Sequence, residues 1–125
     1  MISSLEIFAT AAAAAGAKPP QPVEGLDLMP HLVKPGAPVR AEHYWRMGSQ
    51  AAFRAGDWKI YRGRDGRTWQ LFNLANDIAE QRDLSALEPA KLAELKGAWS
   101  EFDNKMIEPL WQQGGGRRGA AKAAK

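Results

Sequence analysis

From Glu42 to Leu74 polar and apolar residues alternate, and the stretch is rich in aromatic and β-branched side chains. The segments "EHYWRM" (42–47), "QAAFRA" (50–55), "WKIYR" (58–62) and "TWQLFNL" (68–74) are each of strand length. Between them stand "GS", "GD" and "GRDG". These are the residues of tight reversals, because glycine enters the left-handed backbone region without steric penalty. A period of two over this length predicts an antiparallel meander of four strands. Alternation also assigns the faces. Trp58, Ile60 and Arg62 point one way and Lys59 and Tyr61 the other, while Trp69 and Leu71 share a face opposite Gln70 and Phe72.

A sheet this small is not stable with both faces in water. The cover for one face is "EPAKLAELKGAWSEFDNKM" (88–106). Pro89 suits a first helical position, and Leu92, Leu95, Trp99, Phe102 and Met106 recur at helical spacing with Lys91, Glu94, Lys96, Glu101 and Lys105 off the stripe. Trp58 and Trp69, or their cross-strand neighbours, are expected against Leu95, Trp99 and Phe102. The second face has aromatic residues of its own, Tyr61 and Phe72, and no element of this kind left to cover it.

Residues 3–15 form a second predicted helix. Ser3 or Ser4 can cap it, Glu6 sits in the first turn where the helix dipole favours an anion, and Gly16 can take the left-handed position that ends it. Leu5, Phe8 and Ala12 fall on one stripe, with Ile7 and Ala11 beside it, and this chain has little protein to cover them. The opposite side is nearly all alanine, as in a helix packed against protein on most sides. Six prolines between residues 19 and 38 exclude a long helix or a central strand there. The apolar island Leu26, Leu28, Met29, Leu32 and Val33 reads as a short helical turn lying on a surface. The class is therefore α+β: a four-stranded antiparallel sheet with a C-terminal helix, preceded by an N-terminal helix.

A chain of 125 residues is one domain's worth, and 45% apolar with 25% charged residues is the composition of a globular protein. No run approaches the ~18 apolar residues of a membrane span. The first residues lack a basic segment, and Glu6 interrupts their apolar stretch, so they are not read as a signal peptide. The absence of cysteine excludes disulfides, a thiolate nucleophile and thiolate metal ligation, and leaves the compartment open. The net charge of +3 belongs to the last twelve residues, which hold Arg117, Arg118, Lys122 and Lys125 and no acid. Without those four, 13 of the 17 basic side chains face 14 acidic ones, a body of charge −1. This glycine- and alanine-rich tail has no apolar period and is expected to be disordered.

The motifs, taken in order, resemble those of a known family. "SSLEIFATAAAAAGA", "EGLDLMPHL", "EHYWR", "AFRAGDWKIYR", "WQLFNLANDIAEQRDL" and a terminal "PLW" are similar to the C-terminal portion of a sulfatase, a sulfuric-ester hydrolase of the alkaline-phosphatase-like superfamily. The family pattern runs "S-L-D-I-x-P-T", "D-G-x-D-L-x-P-L-L", "R-x-G-D-W-K-L", "E-L-Y-D-L-x-x-D-P-x-E-x-x-N-L". The resemblance covers residues 3–111 without a break in order, with Ala9 where the family often has proline and Ile78–Ala79 for Pro–Gly. It implies that residues 1–40 are the remnant of the catalytic α/β domain, that 41–111 are the C-terminal subdomain, and that 112–125 are the basic tail. It also implies a formylglycine nucleophile from a C/S-x-P-S-R motif and a calcium ion, both in the catalytic domain. No serine here is followed by that pattern, so no catalytic or metal residue is assigned to this chain. Parent sulfatases are often periplasmic, secreted or lysosomal.

His43 and Arg46, around Tyr44 and Trp45, are the candidate contacts to a sulfate or sugar, although a lone histidine usually packs or lies at the surface. Arg54, Lys59, Arg62, Arg64 and Arg67 interleave with aromatics like a single-strand nucleic-acid platform, but strands of small sheets also expose such cations for solubility, and no nucleic acid is expected. Asp77, Glu80 and Asp83 fit no calcium-loop spacing and read as a turn. The expected partner is a sulfatase catalytic domain, with self-association through exposed apolar faces as a further possibility. The alternative is a free-standing binding or adaptor module for an anionic ligand or a partner protein.

Overall fold

A computed structural model describes residues 2–18, 23–34, 36 and 40–107; the terminal "PLW" and the basic tail lie outside these. The chain divides into two compact units, Met1–Ala41 and Glu42–Lys125.

The second unit is the expected meander. Strands β1 (Glu42–Met47), β2 (Gln50–Ala55), β3 (Trp58–Arg62) and β4 (Trp69–Asn73) lie in the order β1-β2-β3-β4, each antiparallel to the next. Met47 pairs with Gln50 and Ala55 with Trp58, so the first two turns have two residues each. The first residue of each turn is a glycine with positive φ, 60° at Gly48 and 58° at Gly56, as type II′ hairpins require.

Helix α3 (Pro89–Asp103), with proline in its first turn, packs on one face of the sheet. That face carries Tyr44 and Arg46, Phe53 and Ala51, Ile60 and Arg62, Leu71 and Trp69 in facing rows. Phe53, Ile60 and Leu71 are fully buried and form one core with Leu95 and Trp99. Trp69 meets Trp99 edge-on with ring centroids 5.2 Å apart, and Phe53 meets Phe102 at 5.7 Å. Pairs of this kind add ~0.5–1.5 kcal/mol each to the area they bury. The Arg62 guanidinium lies 4.9 and 5.0 Å from the Trp69 and Trp99 ring centres, closing the end of the core with a cation–π contact. The helix is shorter than its apolar stripe: Met106 lies beyond Asp103 and is exposed.

Between β4 and α3 the acidic trio organises the chain, as a turn. The Asp77 carboxylate accepts the Arg82 amide at 2.8 Å, and further amides from Ala79 to Gln81 converge on it and hold its pKa below the ordinary range. Asp83 accepts the Leu71 amide at 3.1 Å and the Ser85 amide at 2.9 Å, while the Leu84 amide donates to the Leu71 carbonyl at 2.8 Å. Both outward backbone groups of Leu71 are thereby satisfied.

The first unit contains α1 (Leu5–Ala14) and α2 (Met29–Val33). Helix α1 starts with a reciprocal pair: the Leu5 amide donates to the Ser3 hydroxyl at 3.2 Å, and the Ser3 amide to the Glu6 carboxylate at 2.8 Å. It ends in a Schellman motif. Gly16 has φ 66°, and the Ala17 and Gly16 amides bond to the carbonyls of Ala12 and Ala13 at 2.9 and 3.0 Å.

The large apolar side chains of the α1 stripe lie outward. Leu5, Ile7 and Phe8 are exposed, Phe8 by 56%, whereas Glu6 and Ala9 are buried, Glu6 to 1%. The cause is a partner 34 residues away. The Arg40 guanidinium donates to Glu6 through Nε at 3.1 Å and through a terminal nitrogen at 2.9 Å, and also reaches the Glu24 carbonyl. A neutralised, hydrogen-bonded carboxylate can be buried where a bare one cannot. Thr10 ties the same side down, accepting the Leu28 amide at 3.0 Å. Gly25 passes so close to α1 that a Cβ there would stand 2.1 Å from the Leu5 carbonyl oxygen.

Candidate functional site

Helix α3 covers one face of the sheet. The strand register builds the other from His43, Trp45 and Met47 on β1, Gln50, Ala52 and Arg54 on β2, Lys59 and Tyr61 on β3, and Gln70 and Phe72 on β4. This face holds a groove of about 630 Å³, the size of a small-ligand site, lined by Trp45, Met47, Gln50, Ala52, Tyr61 and Arg46 among others. One row across it reads Trp45, Ala52, Tyr61. Two aromatic side chains thus stand two strands apart, roughly 10 Å, with only a methyl group between them.

His43 is buried to 7% and stacks on Trp45, the rings 5.7 Å apart and 13° from parallel. The histidine fixes the plane of a tryptophan that is itself 42% exposed. On the groove wall the Gln50 amide nitrogen donates to the Tyr61 hydroxyl at 3.2 Å. At the far side of this face Lys59 pairs with Glu80 at 2.5 Å.

His43 and Arg46 are not brought together. They are three residues apart in a strand and so point to opposite faces. The Arg46 guanidinium pairs with Asp103 at 2.8 Å and donates to the Ile107 carbonyl at 2.7 Å. Asp103 also accepts the Tyr44 hydroxyl at 2.5 Å, and burial, followed by that bond, pushes the Tyr44 pKa up, so this phenol stays protonated. Arg46 thus ties the end of α3 to β1. The basic residues form no continuous stripe either, since Arg62 lies over the core tryptophans while Arg54 and Lys59 share the opposite face.

Trp45, Ala52 and Tyr61 were the residues to notice. Their row follows from period two and two-residue turns, both legible in the sequence, once the strands are laid in register. Among the described residues no three of His, Asp and Glu are grouped to hold a metal ion. No helix of the described residues is long and apolar enough to cross a membrane.

No family model matches the sequence. Solved structures do. Ps i-CgsB is 29% identical over 89% of this chain, with TM-scores of 0.72 in its complex with k-i-k-neocarrahexaose and 0.73 alone. A 2-O GAG sulfatase is 17% identical over 80% of the chain with a TM-score of 0.63. A protein solved with its substrate D-glucosamine-2-N,6-O-disulfate is 20% identical over 79% with a TM-score of 0.63. The last two share the fold. The chain spans about a quarter of each of these proteins, between 23% and 26% of their length. In fold, this chain corresponds to a portion of a sulfatase.

Proposed function

We propose that the chain serves a sulfatase as the subdomain that completes the wall of its substrate cleft. Hydrolysis of the sulfate ester itself belongs to a catalytic domain outside these residues. The observation that carries this reading is the 29% identity and TM-score of 0.72 over 89% of the chain, matched to only 26% of the longer protein. Ester hydrolysis needs an activated nucleophile and a cation at the developing charge. In this reading the formylglycine and the calcium ion that meet those needs sit in the catalytic domain. The exposed apolar side chains of α1 and α2, Leu5, Phe8, Met29 and Leu32 among them, supply the docking surface. The face of the sheet away from α3 supplies the cleft wall, His43 acting there through the tryptophan that it orients.

Assayed alone with an aryl sulfate and calcium, the chain should give no turnover above a heat-killed control. Mixed with a sulfatase shortened by its own matching C-terminal portion, it should form a complex and restore sulfate release. Turnover by the chain alone would overturn the reading, and so would a mixture that yields neither complex nor sulfate.

A further inference from the structure

We infer that the slot between Trp45 and Tyr61 is a sugar-ring subsite, and that the substrate is a sulfated oligosaccharide. The inference rests on the sulfatase reading above and deepens it. Ala52 lies directly opposite Trp45 in β2 and opposite Tyr61 in β3, so the slot has a flat floor and two aromatic walls. A pyranose ring presents C–H groups on its faces and hydroxyls around its rim. The faces suit the indole and the phenol ring. The rim suits the Gln50–Tyr61 pair, whose 3.2 Å hydrogen bond leaves the tyrosine hydroxyl proton and the amide oxygen for a ligand.

Two further observations favour this occupant. The Trp45 ring is exposed and yet held in plane by buried His43, so little freedom is lost when a ring stacks on it. No carboxylate lines the groove, and Arg46, the one basic residue in its lining, turns its guanidinium to the α3 face, where Asp103 pairs with it. A sulfated chain therefore meets no like charge there. An aryl sulfate can stack on the same rings but has no hydroxyl rim to meet Gln50 and Tyr61.

The test is a titration of the 125-residue chain, followed through the indole and amide NMR signals, with a sulfated galactan hexasaccharide and separately with an aryl sulfate. The expected result is a saturable shift of the Trp45 indole with Gln50 and Tyr61, while Trp69 and Trp99 on the core side stay still. Ala52→Leu fills the slot and should weaken binding by about tenfold or more, with Trp45→Phe, which keeps a smaller platform, falling between. No shift by ~10 mM sugar, in the range of single-ring affinities, overturns the subsite, and so does equal binding by Ala52→Leu or by the aryl sulfate. Restored turnover in the mixture described above, without this shift, overturns the subsite and leaves the sulfatase reading standing. The shift without restored turnover overturns that reading and the substrate assignment with it.

Discussion

Among the described residues of 42–107 the side chains removed from water are Ala51, Phe53, Ile60, Leu71, Leu74, Leu95 and Trp99, together with Phe72 and His43 on the second face; among those of 2–41 they are Glu6 and Ala9. The sheet unit follows the ordinary economy of a small domain. Apolar area leaves water at ~25 cal/mol per Å², and polar groups keep to edges and turns. The N-terminal unit inverts it. Its interior is an ion pair, an alanine, a threonine bond and a glycine contact, while Ile2, Leu5, Ile7, Phe8, Leu26, Met29, Leu32 and Val33 face outward. Geometry, rather than burial, holds that unit, and an apolar surface of this kind marks an interaction face.

Trp99→Ala tests the contrast most severely. It removes a ring that touches Tyr44 and Trp69 and lies under Arg62, and should cost ~3–5 kcal/mol. Denaturant titration followed by tryptophan fluorescence reads it; a variant as stable as the parent would mean that α3 does not cover the sheet.

Glu6→Gln should cost less, ~1–3 kcal/mol, because Arg40 keeps partial access to water when its partner loses charge. The loss should show as faster hydrogen exchange in residues 5–14 with β2 and β3 unchanged. Acid probes the same bond. Burial alone would raise the Glu6 pKa, but the hydrogen bonds from Ser3 and Arg40 outweigh it and hold the carboxyl below its usual range. A depressed carboxylate stabilises fully above its unfolded value and loses that contribution as pH falls through the lower folded one. Protection of 5–14, corrected for the intrinsic slowing of exchange in acid, should therefore fall as pH drops below ~4.5 in the parent, and Glu6→Gln should lack this response. Asp83, also depressed, should still loosen the β4 edge in both proteins. An identical acid response of residues 5–14 in the variant would remove Glu6 from the account.

Phe8→Ser should have the smallest effect, within ~0.5 kcal/mol, since the ring faces outward. A loss above ~1 kcal/mol by thermal melting would show that α1 is held by apolar packing after all.

Most of the sheet was legible because its signals are local. Three strands begin and end where alternation and glycine pairs put them, and the expected 68–74 contracts only to Trp69–Asn73. Leu74 instead donates its amide to the Asp57 carbonyl at 2.7 Å, across the neighbouring turn. The buried side of α1 was illegible because Arg40 decides it, and no periodicity links residues 34 apart. For the site, adjacency in the text misled. His43 and Arg46 share a motif but not a face, whereas Trp45 and Tyr61 lie far apart in sequence and share a groove.

The satisfied backbone of Leu71 has a consequence for how this sheet can associate. With its amide held by Asp83 and its carbonyl by Leu84, β4 offers no run of free groups on which an incoming strand could align. The sheet ends at β1 on its other side, and among the described residues no strand lies beyond it. A fifth strand, from a binding partner or from an aggregating copy, therefore meets a margin at β4 whose central residue has nothing left to offer it.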